Sequence, residues 1–354
     1  MHKASYTYHA LLLMARWWCL GMICLLVACK KNPLNDQFQD DQLVMLSEIT
    51  AGDSVKIPIG KTIKVQGGAL IRFEKVNDAT VTLTEANTLS WVLKPAFSPQ
   101  YNNNPTTVYT NRKRFKSNTA YAIEVKHPTL GILKASTFIP ALPKVSFKDT
   151  TYETYQDKTL LATDITWQDD GNKDDYYIVE AVKELLRIGH HFIHQGVFYD
   201  YDTPQGKKLY DQIKNTGVKL VTDTLSQNQF LRLHLYTADV NADNIHIDNY
   251  SNSFRRLFFT DRNFSGQSYT SHVYIDPQFF VSSTTAQKGR VKLQFKAVSK
   301  ELYDYLLIYE KYKTDLGALP ANQLPSPPGN IQHGLGIFGG SARREKVFYF
   351  DALY

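Results

Sequence analysis

Two clusters in this 354-residue chain carry side chains that bind metals. Asp239-x-Asn241-x-Asp243 has the opening spacing of a calcium loop, in which oxygens at alternate positions converge on one cation. The glycine expected next is Asn244 and the closing glutamate position is Tyr250, so the loop is incomplete. His190, His191 and His194 form the second cluster. On a helix His190 and His194 would share a face suited to zinc, but the HExxH pattern is absent and no cysteine stands nearby. Surface histidines are the expected reading, and no metal is expected at either cluster.

The run Gly334-Leu335-Gly336-Ile337-Phe338-Gly339 matches G-x-G-x-x-G literally. A dinucleotide site needs that run after a strand and opening a helix. Here it follows a proline-rich loop, and Ile337-Phe338 point to a strand, so tight backbone approach explains the glycines better. Arg112 to Lys116 is the densest basic run and reads as a solvated loop tip. The chain has no G-x-S-x-G elbow, no P-loop and no paired Cys/His nucleophile pattern. No catalytic residue and no cofactor are therefore expected.

Cys29 is the residue with the clearest chemistry. Lys3 and Arg16 precede an apolar run, Trp17 to Ala28, that ends Leu26-Val27-Ala28-Cys29. A charged start, a short apolar stretch and a small residue before the cut form a secretory signal. Its ending is that of a bacterial lipoprotein signal, with Cys29 lipidated as the first mature residue. A spanning helix needs about 20 apolar residues, and this run is shorter. Cys19 and Cys24 leave with the signal, so the mature chain has no disulfide. Removal of Lys3 and Arg16 lowers the formal charge from +6 to +4, spread along the chain, which gives no reason to expect nucleic acid.

These residues must be positioned by strands. Tyr 22 and Phe 19 are plentiful, which favours β structure. The segments read as a signal over 1–29, a polar tether over 30–42, an N-terminal β-sandwich over 43–141 and a C-terminal β-rich domain over 142–354. Period-two runs such as Ala69–Val76, Val81–Thr84 and Tyr121–Val125 suggest immunoglobulin-like sandwiches. The expected fold is mainly β, with two such domains, the second carrying a helix and long loops. Ile139-Pro140-Ala141-Leu142-Pro143 reads as a stiff linker and a hinge. Leu160–Trp167, Tyr176–Val182, Phe230–Tyr236 and Val291–Val298 read as later strands. Lys183 to Leu225 reads as an excursion of mixed helix and loop.

A helix near 299–313 is the best-signalled element. Ser299 caps it, Glu301 suits its first turn, and Val298 with Tyr303 forms a hydrophobic staple. Leu302, Tyr305, Leu306 and Tyr309 form its expected apolar stripe. The loop from Pro325 to Gly340 carries Asn330, Ile331, Leu335, Ile337 and Phe338. Asn330 can bridge backbone groups, and the apolar residues are too many for a solvated loop. They are expected to bury against the helix stripe or a partner.

Three segments carry a family resemblance. Phe259-Thr260-Asp261-Arg262-Asn263-Phe264-Ser265-Gly266 resembles an F-S-D-x-x-F-x-G motif. Ser299 to Leu306 resembles S-x-E-x-Y-x-Y-L, and Pro327 to Phe338 resembles P-x-x-I-x-x-N-I-x-G-G-x-G-x-F. With the lipoprotein signal and the S-T-x-I-P segment at Ser136 to Pro140, their order resembles the domain-of-unknown-function family numbered 4249. The resemblance implies a lipid-anchored outer-membrane protein of Bacteroidota-type bacteria, on the periplasmic or cell-surface face. It implies a TonB-dependent outer-membrane receptor as partner and supplies no catalytic residues. A non-catalytic accessory partner of such a receptor or its cargo is therefore the first expectation. A surface glycan-binding module using tyrosines such as Tyr199 and Tyr201 is the alternative, and a carboxylate-dependent hydrolase comes third.

Overall fold

The computed structural model describes residues 41–64, 71–96, 106–244, 254–276, 289–315 and 328–350. The protein is mainly β, with two sheets among these residues. The first half supplies β1 (Leu43–Thr50), β2 (Ser54–Lys64), β3 (Ile71–Lys75), β4 (Thr80–Glu85), β5 (Leu89–Pro95), β6 (Thr107–Arg114), β7 (Thr119–His127) and β8 (Gly131–Ile139). After Pro140–Pro143 come β9 (Lys144–Phe147), β10 (Thr151–Tyr155), β11 (Lys158–Gln168), β12 (Tyr176–His194) and β13 (Val197–Asp200). Helix α1 (Pro204–Ile213) precedes β14 (Val221–Arg232), β15 (Leu235–Tyr236), β16 (Leu257–Thr260), β17 (Ser268–Ile275) and β18 (Gly289–Val298). Helix α2 (Lys300–Asp315) and β19 (Leu335–Phe350) follow.

Alternation sorts these strands into cores. Met45, Ile49, Ile57, Leu83, Tyr109, Ile123 and Leu133 meet in a first core. Leu161, Ile165, Val179, Val273, Leu293 and Phe295 build a second, between the large sheet and the β10-β11-β17-β15 sheet. Trp167 lies at its centre, with the rings of Phe295 at 4.8 Å, Tyr269 at 5.0 Å, and Phe259 and Phe264 each at 5.5 Å. The F-x-x-x-x-F part of the Phe259–Gly266 segment thus encloses the tryptophan. A third cluster packs α2 on the opposite face through Ile178, Phe258, Val298, Leu302, Tyr303 and Ile337.

The hinge expectation is corrected by β19. Its residues pair in parallel with β1, from Val44 with Leu335 to Thr50 with Ser341, and antiparallel with β18. One hydrogen-bonded path therefore runs from β13 through β12, β18, β19, β1 and β2 to β8. The linker joins β8 to β9, but the sheet crosses between the halves elsewhere. Local patterning cannot reveal a pairing between residues about 290 positions apart.

Two further readings change. The segment from Lys183 to Leu225 holds the expected helix and loop only in its second part, from α1 to Leu220; before it β12 continues unbroken to His194, where β13 returns antiparallel to it. The Arg112–Lys116 run ends β6, and Phe115 is buried in the first core while Lys116 pairs with Glu85 at 2.6 Å. Ala69 and Leu70, which open the Ala69–Val76 run, lie outside the described residues.

Candidate functional site

Two of the three motif segments, Ser299–Leu306 and Pro327–Phe338, join the Ser136–Pro140 segment where β8, β19 and α2 meet. Asn330 Nδ2 donates to the Ser136 and Phe338 carbonyls, each at 2.8 Å, and its Oδ1 accepts from the Phe338 amide at 2.9 Å. Ser299 Oγ accepts from the Leu302 amide at 3.4 Å, as an N-cap should, and also from the Gly340 amide at 3.3 Å. Val298 and Tyr303 share one cluster, consistent with the staple. Gly336 has φ +113°, and an added Cβ would stand 2.1 Å from the Met45 carbonyl oxygen. The glycine run is thus strand β19 pressed against β1, followed by no helix.

The loop's apolar residues part ways. Phe338 is fully buried in the first core, whereas its neighbour Ile337 turns to the α2 cluster. Ile331 packs on the first core, and Leu335 opens β19 half-buried. The expectation that all four bury against the helix stripe is corrected, because successive strand residues point to opposite faces. The stripe itself is rotated: Tyr309 is 46% exposed, while Tyr303 and Glu310 face inward. Asn330→Ala should lower stability by about 1–3 kcal/mol in thermal denaturation, since it strands three backbone partners.

Sequence patterning did not reveal a buried charge chain on the α2 side of the large sheet. Lys296 Nζ lies 3.0 Å from Glu48 Oε1 and also contacts Glu180. Glu180 Oε2 takes Arg232 Nε at 2.9 Å and Arg256 Nε at 3.3 Å, and Arg256 reaches Glu310 at 3.4 Å. Burial pushes the Glu180 carboxyl up, but Lys296, Arg232 and Arg256 outweigh it and hold it at about 2. Burial likewise opposes charge on Lys296, yet Glu48 and Glu180 raise its pKa. The only trace in the sequence is charged residues at strand positions that alternation would allow to be apolar.

The residues weighed as metal ligands make other contacts. His190 and His194 lie on a strand, where a four-residue step spans about 13 Å, too far for one ion. His190 Nδ1 is instead 3.1 Å from Asp202 Oδ1. Asp239 Oδ1 accepts from the Asn241 amide at 3.0 Å and from the Tyr269 hydroxyl at 2.6 Å. Asn241 Oδ1 accepts from Asn263 Nδ2 at 2.7 Å, and Asp243 accepts from Tyr303 on α2. Burial and the Asp239 bond push the Tyr269 hydroxyl up to about 12. The loop fastens β17 and α2, and among the described residues no group of three or more His, Cys, Asp or Glu could hold a metal. Cys29 lies outside the described residues.

Beyond Leu185, where β18 ends, β12 projects with β13 and β14 as a three-stranded arm. Helix α1 covers one face, its Tyr210 ring 5.2 Å from Phe192 and 5.3 Å from Tyr201. Tyr199 stacks on Phe192 at 5.3 Å, so Tyr199 and Tyr201 are half-buried arm packing. The other face is bare at its end, where Ile193, Phe198 and Val221 are exposed. The sequence signal that could have extended the strand is weak, since Lys183, Glu184, Arg187 and Gly189 interrupt the β-branched and aromatic residues that lead into Ile193.

A cavity of about 260 Å³ lies between the Pro140–Pro143 linker and the Asp169–Asp175 turn. Its carboxylates are already engaged: Asp169 accepts from Tyr177 at 2.6 Å and from the Gly266 amide at 2.8 Å, and Asp175 pairs with Lys173 at 2.9 Å. Burial raises the Asp175 pKa, with the charges of Asp169 and Asp261 adding to it.

The model of the family described as Domain of unknown function (DUF4249) matches residues 31–347. That range is most of the chain, so the protein belongs to this family. No curated protein matches the chain. No helix among the described residues is long and apolar enough to cross a membrane.

Proposed function

We propose that this family member is a lipid-anchored envelope protein that acts by binding, as an accessory partner of an outer-membrane receptor or its cargo. The anchor is Cys29, and the location is the outer membrane, on its periplasmic or cell-surface side. The architecture that goes with it is two immunoglobulin-like sandwiches, over 43–141 and 142–354, with β19 contributed to the first by the second. The observation that carries the binding reading is the distribution of exposed apolar side chains. Of the nineteen large ones among the described residues, eight lie between Ile188 and Leu231, in the arm and its borders. A concentration of this kind away from a core marks an interaction surface.

Anchorage is tested directly. Cys29→Ala should move the protein from the membrane fraction to the soluble fraction, or leave an unprocessed precursor, and should abolish incorporation of labelled fatty acid. Stable attachment takes two lipid signals or more, so loss of the acylated residue should be all but complete. Unchanged fractionation and processing would sink the anchor and the location with it.

A further inference from the structure

We propose that the free end of the arm docks an extended segment of a partner protein, adding it to the β14 edge through alternating apolar and basic side chains. The inference rests on the accessory-binding reading above and names the surface and the chemistry of the partner.

Register defines the surface. Ile193 pairs with Phe198 and His191 with Val221, so these four side chains share one face. Ile193 is 62% exposed, Phe198 54% and Val221 45%. The same face carries charge on its inner side. A Cβ built on Gly189, which pairs with Asp223, would meet Arg187, Asp202 and Leu225. Asp200 pairs with His191 and so belongs there too. Three carboxylates thus border the apolar end against one guanidinium, Arg187, which bridges Asp200 and Asp202. Asp202 is held at about 2, by the His190 amide first and Arg187 next, so it stays ionised. Along one side runs β14, which pairs only with β12 among the described residues. Its outer backbone groups are a ready template for another strand.

These features choose among occupants. A bilayer does not fit, because an open edge entering lipid leaves backbone groups unsatisfied and the carboxylates repel anionic headgroups. A second copy would bring the same acidic border against itself, and like charges facing across a strand pair are destabilising. A basic, apolar strand satisfies both the edge and the border. Among the described residues, β12 runs on past the end of its pairing with β18. From Leu185 to His194 is nine residues, about 30 Å of strand.

The test places photoreactive p-benzoylphenylalanine at Val221, on the β14 edge strand, in the full-length anchored protein, with Tyr152 on β10 as the reference position. Val221 is 45% exposed and Tyr152 62%, so the reference samples an at least equally accessible surface on the other sheet. After irradiation of native envelopes, the expected product is one discrete adduct whose cross-linked peptide is apolar and rich in Lys or Arg. Ile193→Asp and Asp223→Lys, each added to the Val221 probe, should lower its yield about tenfold or more. Both positions are exposed, so an unchanged melting curve shows that the fold is intact. A species of twice the chain mass, a lipid adduct, an acidic cross-linked peptide, or a yield unmoved by both substitutions overturns the proposal. Capture from Tyr152 but not from Val221 overturns the arm as the surface and leaves the accessory reading standing. Capture from neither position, with membrane attachment intact, counts against both.

Discussion

Lys296→Met is expected to lower stability by about 3–5 kcal/mol at neutral pH, although methionine nearly matches lysine in volume. The loss comes from the groups left behind. Lys296 and Glu180 are buried, at 7% and 2% side-chain exposure, and lysine is the cation nearest both Glu180 Oε1 and Glu48 Oε1. Glu180 would keep Arg232 and Arg256, and Glu48 would keep the Ser341 hydroxyl at 2.8 Å. That residual pairing places the loss toward the lower end of the range. The pH dependence has a definite sign. The Glu180 carboxyl is depressed to about 2 in the folded state, so its contribution is present above the unfolded value near about 4.3 and fades as pH falls toward 2. The Lys296 pKa is raised, so its contribution is complete below about 10.4 and fades as pH rises through the folded value. In Lys296→Met, acid relieves the unpaired carboxylates, and the gap between the two proteins should narrow below about pH 4. Urea unfolding at neutral and acidic pH measures this. A gap under about 1 kcal/mol at neutral pH, or one that widens in acid, would contradict the account.

Phe338→Ala should cost about 3–5 kcal/mol, the usual range for emptying a phenylalanine site in a close-packed core. The effect on cooperativity is more informative than the size. Phe338 belongs to β19 but fills the first core, while Val291, Leu293 and Phe295 of the neighbouring β18 fill the second. The two halves should therefore unfold together. Beyond Cys29 the chain has two tryptophans, Trp91 packed against the first core and Trp167 at the centre of the second. Trp91→Phe and Trp167→Phe in a chain lacking residues 1–29 give one fluorescent reporter per core. Both reporters should melt at the same denaturant concentration, and Phe338→Ala should shift both. A shift confined to the Trp91 transition would show that β19 does not couple the cores.

Local chemistry was enough for much of the protein. Ser299, with Val298 and Tyr303, sets the start of α2, because a cap and a staple involve residues within one turn of each other. Alternation places β4 and β7, because a strand with one buried face must repeat every two residues. The ordered motif segments were sufficient for the family. Tertiary structure decided where those pieces meet. Asn330 reads as a loop residue, yet it joins Phe338 of β19 to Ser136, 194 positions away in the other half. Glu48, Lys296 and Glu180 are ordinary charged residues in their own segments and become a buried chain only because β19 inserts between β1 and β18. His190 and His194 could share a helix face or a strand face, and the long pairing of β12 with β14 selected the strand. The physical reason is range. Caps, turns and alternation act over a few residues and are written in order along the chain, whereas strand pairing and charge burial depend on which distant segments close on each other.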